Sequence, residues 1–140
     1  MSNVLILSTT SYYSPFKVGS YHIANSLAER GDCVTFVSAP VSLPVLISFL
    51  FDRSHIFRLK SGVECCGRLV ILTTFNVLPI RYVSFFRFLA KPFFKPRFKN
   101  KTKFDKIIID SYEWLPFIDS LMADKIIYRP TDIYSVVNEN

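Results

Sequence analysis

Glycine, cysteine and histidine are scarce in this sequence of 140 residues, with four, three and two copies respectively. Four glycines are too few for a sandwich built from many tight turns. The cysteines, Cys33, Cys65 and Cys66, are odd in number and include no CxxC spacing, so we expect reduced thiols that pack as small hydrophobes. His22 and His55 lie near no cysteine and far from each other, so no metal site is predicted.

Signals for targeting and for nucleotide phosphates are missing as well. The first ten residues, MSNVLILSTT, have no positive charge before a short apolar run, which indicates a buried strand and not a signal peptide. The loop that follows contains neither GxGxxG nor GxxxxGK(S/T), which argues against a dinucleotide or P-loop site, and we predict no cofactor. Residues 33–51 are uncharged and approach the length of a membrane span, but Pro40 and Pro44 divide them, so we favour a strand followed by an apolar helix.

The sequence does contain a large apolar fraction in alternating strand and helix patterns. Half of the residues are hydrophobic and 16% are aromatic, which excludes a disordered chain. Residues 4–8 form an apolar run, residues 19–30 have helical period with Gly31 as the stop, and residues 33–38 are rich in β-formers. This strand–helix–strand unit predicts an α/β, Rossmann-like domain over residues 1–140, with a parallel sheet flanked by helices.

The remaining pattern is less regular. We predict helices at residues 41–51 and 113–122, a loop at 52–60, and strands at 63–66, 69–75, 104–110 and 125–129. Gly67 and Arg68 interrupt the two middle strands, which indicates either a hairpin or a bulge.

Charge is distributed unevenly along the chain. The net charge is +6, but residues 81–106, the basic segment, hold nine basic residues and one acidic residue, and the remainder is slightly acidic. Aromatic residues lie between these cations, which suits an anionic membrane surface, because rings embed at the headgroup boundary while Lys and Arg meet the lipid charge. Single-stranded nucleic acid and a solvated loop are the alternatives, and apolar residues exceed what base stacking needs, so we predict no nucleic-acid partner. The predicted membrane-binding residues are Arg81, Phe85, Phe86, Arg87, Lys91, Phe93, Phe94, Lys95, Arg97 and Lys99.

Polar residues follow the predicted strands at the carboxyl ends, where an open parallel sheet binds ligands. Thr9 and Thr10 follow the first strand, Asp110 ends a later one, and Asp132 comes after the last strand and Pro130. Asp132 is the strongest catalytic candidate among them, although a helix cap is the alternative role for a residue in this position. Asp110 is open to a similar choice between a ligand contact and an acid that stabilises a helix N-terminus.

Three stretches of the sequence resemble one enzyme family. They are residues 11–31, SYYSPFKVGSYHIANSLAERG, residues 104–111, FDKIIIDS, and residues 127–132, IYRPTD, which is similar to the family's strand followed by Y-R-x-S/T-D. The chain resembles the N-terminal, acceptor-side domain of GT-B glycosyltransferases, most closely the membrane-associated glucuronosyltransferases of xanthan assembly and their relatives. The resemblance covers essentially the whole chain, and its most specific part is the Ser-Pro-x-Lys loop together with the Thr-Asp segment.

The resemblance implies an inverting transfer from a nucleotide sugar to a polyprenyl-diphosphate-linked saccharide, in exopolysaccharide, capsule or O-antigen assembly. In such enzymes an aspartate of the acceptor domain is the general base, and by position this role falls to Asp132. We predict Ser14, Lys17, His22 and Asp110 as acceptor contacts. The protein is accordingly expected to be cytoplasmic and peripheral on the inner face of the cell membrane.

The donor-binding domain of that family lies C-terminal to the region that these residues resemble. We therefore expect this chain to bind the acceptor, to depend on a missing or separate donor domain for the nucleotide sugar, and to be inactive alone. The alternative is a non-catalytic peripheral membrane-binding α/β module, or a truncated remnant of such an enzyme.

Overall fold

The structure is a computed structural model that describes residues 1–49, 51–76, 103–119 and 121–130. Eight strands and three α-helices lie in this part of the chain, together with two 3-10 helices at Arg53–Leu59 and Tyr112–Trp114. In chain order the strands and α-helices are β1 (Asn3–Leu7), α1 (Gly19–Glu29), β2 (Cys33–Val37), β3 (Val41–Ser42), α2 (Leu43–Ser48), β4 (Gly62–Glu64), β5 (Leu69–Leu72), β6 (Phe75–Asn76), β7 (Lys103–Ile109), α3 (Leu115–Ile118) and β8 (Met122–Tyr128).

Six of the strands form one sheet in the order β4-β5-β2-β1-β7-β8. Strand β1 is central and pairs in parallel with β2 on one side and with β7 on the other. Parallel pairing continues from β2 to β5 and from β7 to β8, whereas β4 runs antiparallel to β5. The predicted Rossmann-like α/β fold is therefore confirmed, and the strand order changes direction at β1, which creates a crevice between the carboxyl ends of β1 and β7.

The sheet is buried on both faces because β1 and its neighbours are apolar at successive positions. Residues Val4 to Leu7 of β1 are at most 1% exposed, so both faces of the central strand are covered. One face packs against α1 and the other against the segment that follows β7. The first layer contains Val4, Ile6, Ala24, Ala28, Val34, Phe36, Leu69 and Ile71, and the second contains Leu5, Leu7, Val37, Ile107, Ile109, Trp114 and Phe117.

Helix α1 ends at the glycine that its pattern predicts. The Gly31 N–H donates to the Ala28 carbonyl at 3.0 Å, and the Asp32 N–H donates to the Leu27 carbonyl at 3.1 Å. These two bonds form a Schellman motif, which requires the left-handed backbone that Gly31 adopts at φ +98°. The chain thus turns directly from α1 into β2, and the predicted strand–helix–strand unit is confirmed.

The region between β2 and β5 differs from the predicted helix at residues 41–51 and loop at residues 52–60. Val41 instead begins the two-residue strand β3, which pairs in parallel with Phe75 of β6, and Pro44 stands in the first turn of the short helix α2. A 3-10 helix at Arg53–Leu59 replaces the predicted loop. No helix in the described ranges is long and apolar enough to cross a membrane.

The structure also decides two smaller predictions, one on the interruption at Gly67 and one on the helix at 113–122. The interruption at Gly67 is a hairpin, since β4 and β5 are antiparallel and joined by a turn in which Cys65, Cys66 and Gly67 all have positive φ. The predicted helix at 113–122 is shorter, with a 3-10 turn followed by α3, because β8 already begins at Met122, where it pairs with Lys103.

Candidate functional site

A polar network lies at the carboxyl ends of β1 and β7. The Oγ atom of Ser8, directly after β1, lies 3.1 Å from Ser20 Oγ of α1 and 3.2 Å from Thr10 Oγ1. Both serine side chains also hydrogen bond to the carboxylate of Asp110, which follows β7. Three separate elements thus meet at one carboxylate, at the point where the sheet topology predicts a ligand crevice.

Asp110 is buried beneath this edge and not displayed on it. Asp110 is 1% exposed, and this burial raises the pKa of its carboxyl group. Hydrogen bonds from Ser20 and Ser8, and the nearby charge of Arg129, lower the pKa by a smaller amount. Arg129 Nη1 lies 4.0 Å from Asp110 Oδ1. Ser8, Ser20 and Arg129 therefore surround the Asp110 carboxylate at the crevice. The predicted direct contact of Asp110 with an acceptor stays a prediction.

Arg129 connects the end of β8 to the start of α1. A Cβ atom at position 19 would overlap the Arg129 guanidinium, so the missing side chain of Gly19 allows the cation to lie against the first turn of the helix. The positive end of the helix dipole disfavours a cation there, and the Asp110 carboxylate supplies the offsetting negative charge. The Asp110–Arg129 pair thereby ties the ends of β7 and β8 to α1.

The predicted acceptor contacts of the first loop and of α1 have different surroundings. Lys17 Nζ donates to the Tyr12 carbonyl at 2.9 Å and lies 4.2 Å from the ring centroid of Tyr21, so it fastens the loop to α1. His22 is exposed and meets the ring of Tyr21 edge-on. Ser14 is half-buried and lines a cleft, whereas Lys17 and His22 are not among the residues that line it.

This cleft lies beside the polar network and has a volume of about 160 Å³. Its lining has a hydroxyl-rich part, here called the hydroxyl wall, an apolar part, here called the apolar wall, and one guanidinium. The hydroxyl wall is formed by Thr9, Thr10, Ser11 and Ser14, the apolar wall by Ala39, Pro40, Val41 and Val45, and the cation is Arg58. Ser11 Oγ is buried and has no hydrogen-bond partner among the described residues, so a ligand with polar groups would satisfy it.

The residues that line the cleft but lie beyond the first loop were not predicted from the sequence as site residues. Arg58 lies in the 3-10 helix that replaces a predicted loop, and Val45 lies in α2. Neither belongs to a recognisable motif, and no local signal brings either to the end of β1. The remaining site predictions, Asp132 and the ten membrane-binding positions between residues 81 and 99, lie outside the described residues and stay predictions.

A mostly parallel Rossmann-like sheet, with a hydroxyl-lined cleft where its strands end, defines an α/β domain of the class that binds ligands at the carboxyl edge of its sheet. The family model described as glucuronosyltransferase GumK, N-terminal domain, matches residues 6–140, so the chain belongs to this family. No curated protein and no solved structure matches the chain. The resemblance to the acceptor-side domain of a GT-B glycosyltransferase is confirmed, and the chain is a glycosyltransferase domain.

The raised pKa of Asp110 makes stability depend on pH in a definite direction. The folded protein holds the proton of the Asp110 carboxyl group more tightly than the unfolded chain does. The wild type should therefore lose stability relative to Asp110→Asn as the pH rises from about 4, the pKa in the unfolded chain, through the raised pKa of the folded protein. Urea unfolding followed by the fluorescence of Trp114 measures this difference from pH 4 to 7. Asp119→Asn, which removes an exposed carboxylate, is the matched control. A stability difference between the wild type and the Asp110→Asn variant that stays constant with pH would contradict the prediction.

Proposed function

We propose that this chain is the acceptor-binding half of an inverting, nucleotide-sugar-dependent glycosyltransferase that builds exopolysaccharide, capsule or O-antigen at a membrane surface. The observation that carries the proposal is the cleft at the carboxyl edge of the sheet, in a domain of the GumK N-terminal family. Ligands of open α/β sheets enter at this edge. The acceptor proposed is a polyprenyl-diphosphate-linked saccharide.

The walls of the cleft suit the saccharide part of such an acceptor. Thr9, Thr10, Ser11 and Ser14 offer hydroxyl donors and acceptors for sugar hydroxyls. The apolar wall around Pro40 suits the hydrocarbon face of a sugar ring, which needs no hydrogen bonds. The mixed lining therefore supports a polyhydroxylated ligand better than a purely apolar one.

Arg58 supports an anionic group on the same ligand. A guanidinium forms its strongest hydrogen bonds with phosphate or carboxylate oxygens, often two at a time. The diphosphate between saccharide and lipid is such a group, and Arg58 is the one cation that lines the cleft within the described part of the chain. We therefore assign Arg58 to the acceptor diphosphate.

The catalytic base proposed for this reaction is Asp132. An ionised carboxylate takes the proton from the acceptor hydroxyl as the bond to the anomeric carbon forms. In the sequence Asp132 comes three positions after Arg129, which directly follows β8 at the carboxyl edge of the sheet. The nucleotide sugar would be bound by a donor domain outside these residues or on another chain, and the 140 residues alone would then be inactive.

The proposed location is the cytoplasmic face of the cell membrane, where a lipid-linked acceptor resides. The basic segment supports this location, since each cation near an anionic surface is worth about 1 kcal/mol. The same segment would serve a non-catalytic membrane-binding module equally well. Binding of the acceptor, and not of the membrane, is therefore the property that separates the two functions.

Calorimetric titration with a soluble, short-chain prenyl-diphosphate-linked disaccharide tests the proposal. We expect the wild-type chain to bind this analogue, and Arg58→Gln to weaken binding by about tenfold or more, because a charge-assisted hydrogen bond is lost. Arg53→Gln, an exposed change in the same 3-10 helix but outside the cleft lining, is the matched control and should bind normally. Failure to bind the analogue, or binding of a UDP-sugar in its place, would contradict an acceptor domain.

A further inference from the structure

One hydroxyl group in the lining of the cleft differs from its neighbours in its hydrogen bonding. Ser11 Oγ is shielded from water and has no hydrogen-bond partner in the described part of the chain. Thr10 Oγ1, by contrast, lies 3.2 Å from Ser8 Oγ, and Ser14 Oγ accepts the N–H of Phe16 at 3.3 Å. Among these three lining hydroxyls, that of Ser11 therefore keeps its whole hydrogen-bonding capacity for a ligand.

Hydrogen bonds fix the backbone on both sides of Ser11. Its carbonyl accepts the N–H of Ser14 at 3.0 Å, which closes a turn over the next three residues. The N–H of Tyr12 donates at 3.3 Å to Ser38 Oγ, a buried hydroxyl directly after β2. Lys17 Nζ donates to the Tyr12 carbonyl at 2.9 Å. The position of Ser11 is thus set both by its own loop and by the neighbouring strand end.

The side chain of Tyr12 anchors the same stretch in the core. Tyr12 is 6% exposed, and its ring packs edge-on against Phe36 of β2, with 5.4 Å between the ring centroids. Its hydroxyl donates to Asn25 Oδ1 of α1 at 2.9 Å. A polar group that rigid neighbours hold in place loses little conformational freedom when a ligand binds, so Ser11 is preorganised.

The shielding of Ser11 Oγ determines what a ligand gains from it. An exposed hydroxyl exchanges a hydrogen bond to water for one to the ligand, so the net gain in affinity is small. Ser11 Oγ is already withdrawn from water, so it gives up no bond to water when a ligand binds. Because Ser11 lines the cleft, a ligand without a polar atom beside it forgoes this gain.

We propose that Ser11 recognises one hydroxyl group of the acceptor sugar and selects against saccharides that lack it. This proposal rests on the proposed function and deepens it, since it names the contact that discriminates between acceptors. A site built to hydrogen bond a hydroxyl group rejects the deoxy analogue, because its own buried polar group is then left unpaired. Arg58 takes an anionic group and the apolar wall takes a hydrocarbon face, so neither supplies this discrimination.

A hydroxyl group kept for a ligand has a recognisable effect on stability. A buried polar group without a partner destabilises the folded protein, so its removal stabilises it. Ser11→Ala should therefore raise the urea concentration at the midpoint of unfolding by about 0.5 M, while it weakens acceptor binding. A serine with only a structural role would instead lower this midpoint when it is replaced.

Ser42→Ala is the matched control for this effect. The Ser42 hydroxyl is likewise buried and without a partner among the residues that the structure describes, but Ser42 does not line the cleft. This variant should gain stability in the same way and bind the acceptor normally. Ser11 and Ser42 thus separate the effect of an unpaired hydroxyl on folding from its effect on binding.

The contact itself is tested with the soluble prenyl-diphosphate-linked disaccharide and analogues in which one sugar hydroxyl at a time is replaced by hydrogen. In calorimetric titration of the wild type, one analogue should bind about tenfold more weakly than the parent disaccharide. Ser11→Ala should bind the parent about tenfold more weakly than the wild type does, and should bind the parent and that analogue equally well. The two losses do not add because both changes remove the same hydrogen bond.

Several results would overturn the role of Ser11 while leaving the acceptor function intact. Normal binding of the parent by Ser11→Ala, with weaker binding by Arg58→Gln, would show that Ser11 makes no contact with the acceptor. A deoxy analogue that Ser11→Ala still binds tenfold more weakly than the parent would show that another residue recognises the hydroxyl. A lowered urea midpoint would show that the serine only shapes the loop. Failure of the wild type to bind the parent would instead overturn the proposed function, and the role of Ser11 with it.

Discussion

Replacing Asp132 by asparagine is expected to lower the rate of sugar transfer by about 10²–10⁴-fold, the usual contribution of a general base. An amide has no basic lone pair with which to take the proton of the acceptor hydroxyl as the glycosidic bond forms. The measurement is transfer of a radiolabelled sugar from a nucleotide sugar to lipid-linked saccharide in membranes, with residues 1–140 co-expressed with a donor-binding domain that restores transfer.

Asparagine also separates catalysis from the alternative role of Asp132 as a helix cap. Asparagine and aspartate cap helices about equally well, so a capping residue would tolerate this change with little loss of stability. Asp132→Ala removes both functions and should in addition lower the free energy of unfolding by about 1 kcal/mol if the cap exists. Transfer at the wild-type rate by Asp132→Asn would remove the catalytic assignment.

The central part of the fold follows from local sequence pattern. Residues 4–8 are apolar enough to be buried on both faces, residues 33–38 are rich in β-formers, and the helix between them has a clear period that ends at Gly31. The connection is too short for anything but a crossover between neighbouring parallel strands. Local pattern and tertiary structure agree here, so the βαβ unit could be predicted without knowledge of the rest.

The region after β2 could not be predicted in the same way. An apolar run such as residues 41–49 satisfies a helix and a buried strand equally well. Pairing of Val41 with Phe75, which lies 34 positions later, decides that the run begins as a strand. Arg58 reaches the cleft through the same non-local arrangement, so neither its position nor the apolar wall of the cleft has a local signal.

Asp110 shows that a polar residue at the carboxyl end of a parallel strand does not always face the ligand. Its position at the carboxyl edge could be predicted from the apolar run that precedes it, but its burial depends on Ser8 and Ser20, which come from β1 and α1. A strand-end carboxylate faces the ligand only where neighbouring elements leave it open. Here they enclose it, and the hydroxyl groups that line the cleft come instead from the loop after β1.

Changing Lys91, Lys95, Arg97 and Lys99 together to glutamine should nearly abolish the binding of the chain to anionic vesicles. Each cation near such a surface contributes about 1 kcal/mol, so four of them correspond to about a thousandfold in the partition coefficient. Flotation with vesicles of phosphatidylglycerol and phosphatidylcholine measures the loss. Replacing the three lysines by arginine keeps the charge and should preserve binding, whereas unchanged flotation of the glutamine variant would show that these residues are a solvated loop.

Salt dependence shows whether this contribution to vesicle binding is electrostatic. Attraction between the basic segment and lipid charge is screened as the Debye length falls from about 10 Å at 0.1 M to about 3 Å at 1 M ionic strength. Transfer of apolar side chains out of water does not depend on such screening. The wild type should therefore lose most of its affinity in high salt, and the glutamine variant should show a shallow salt dependence.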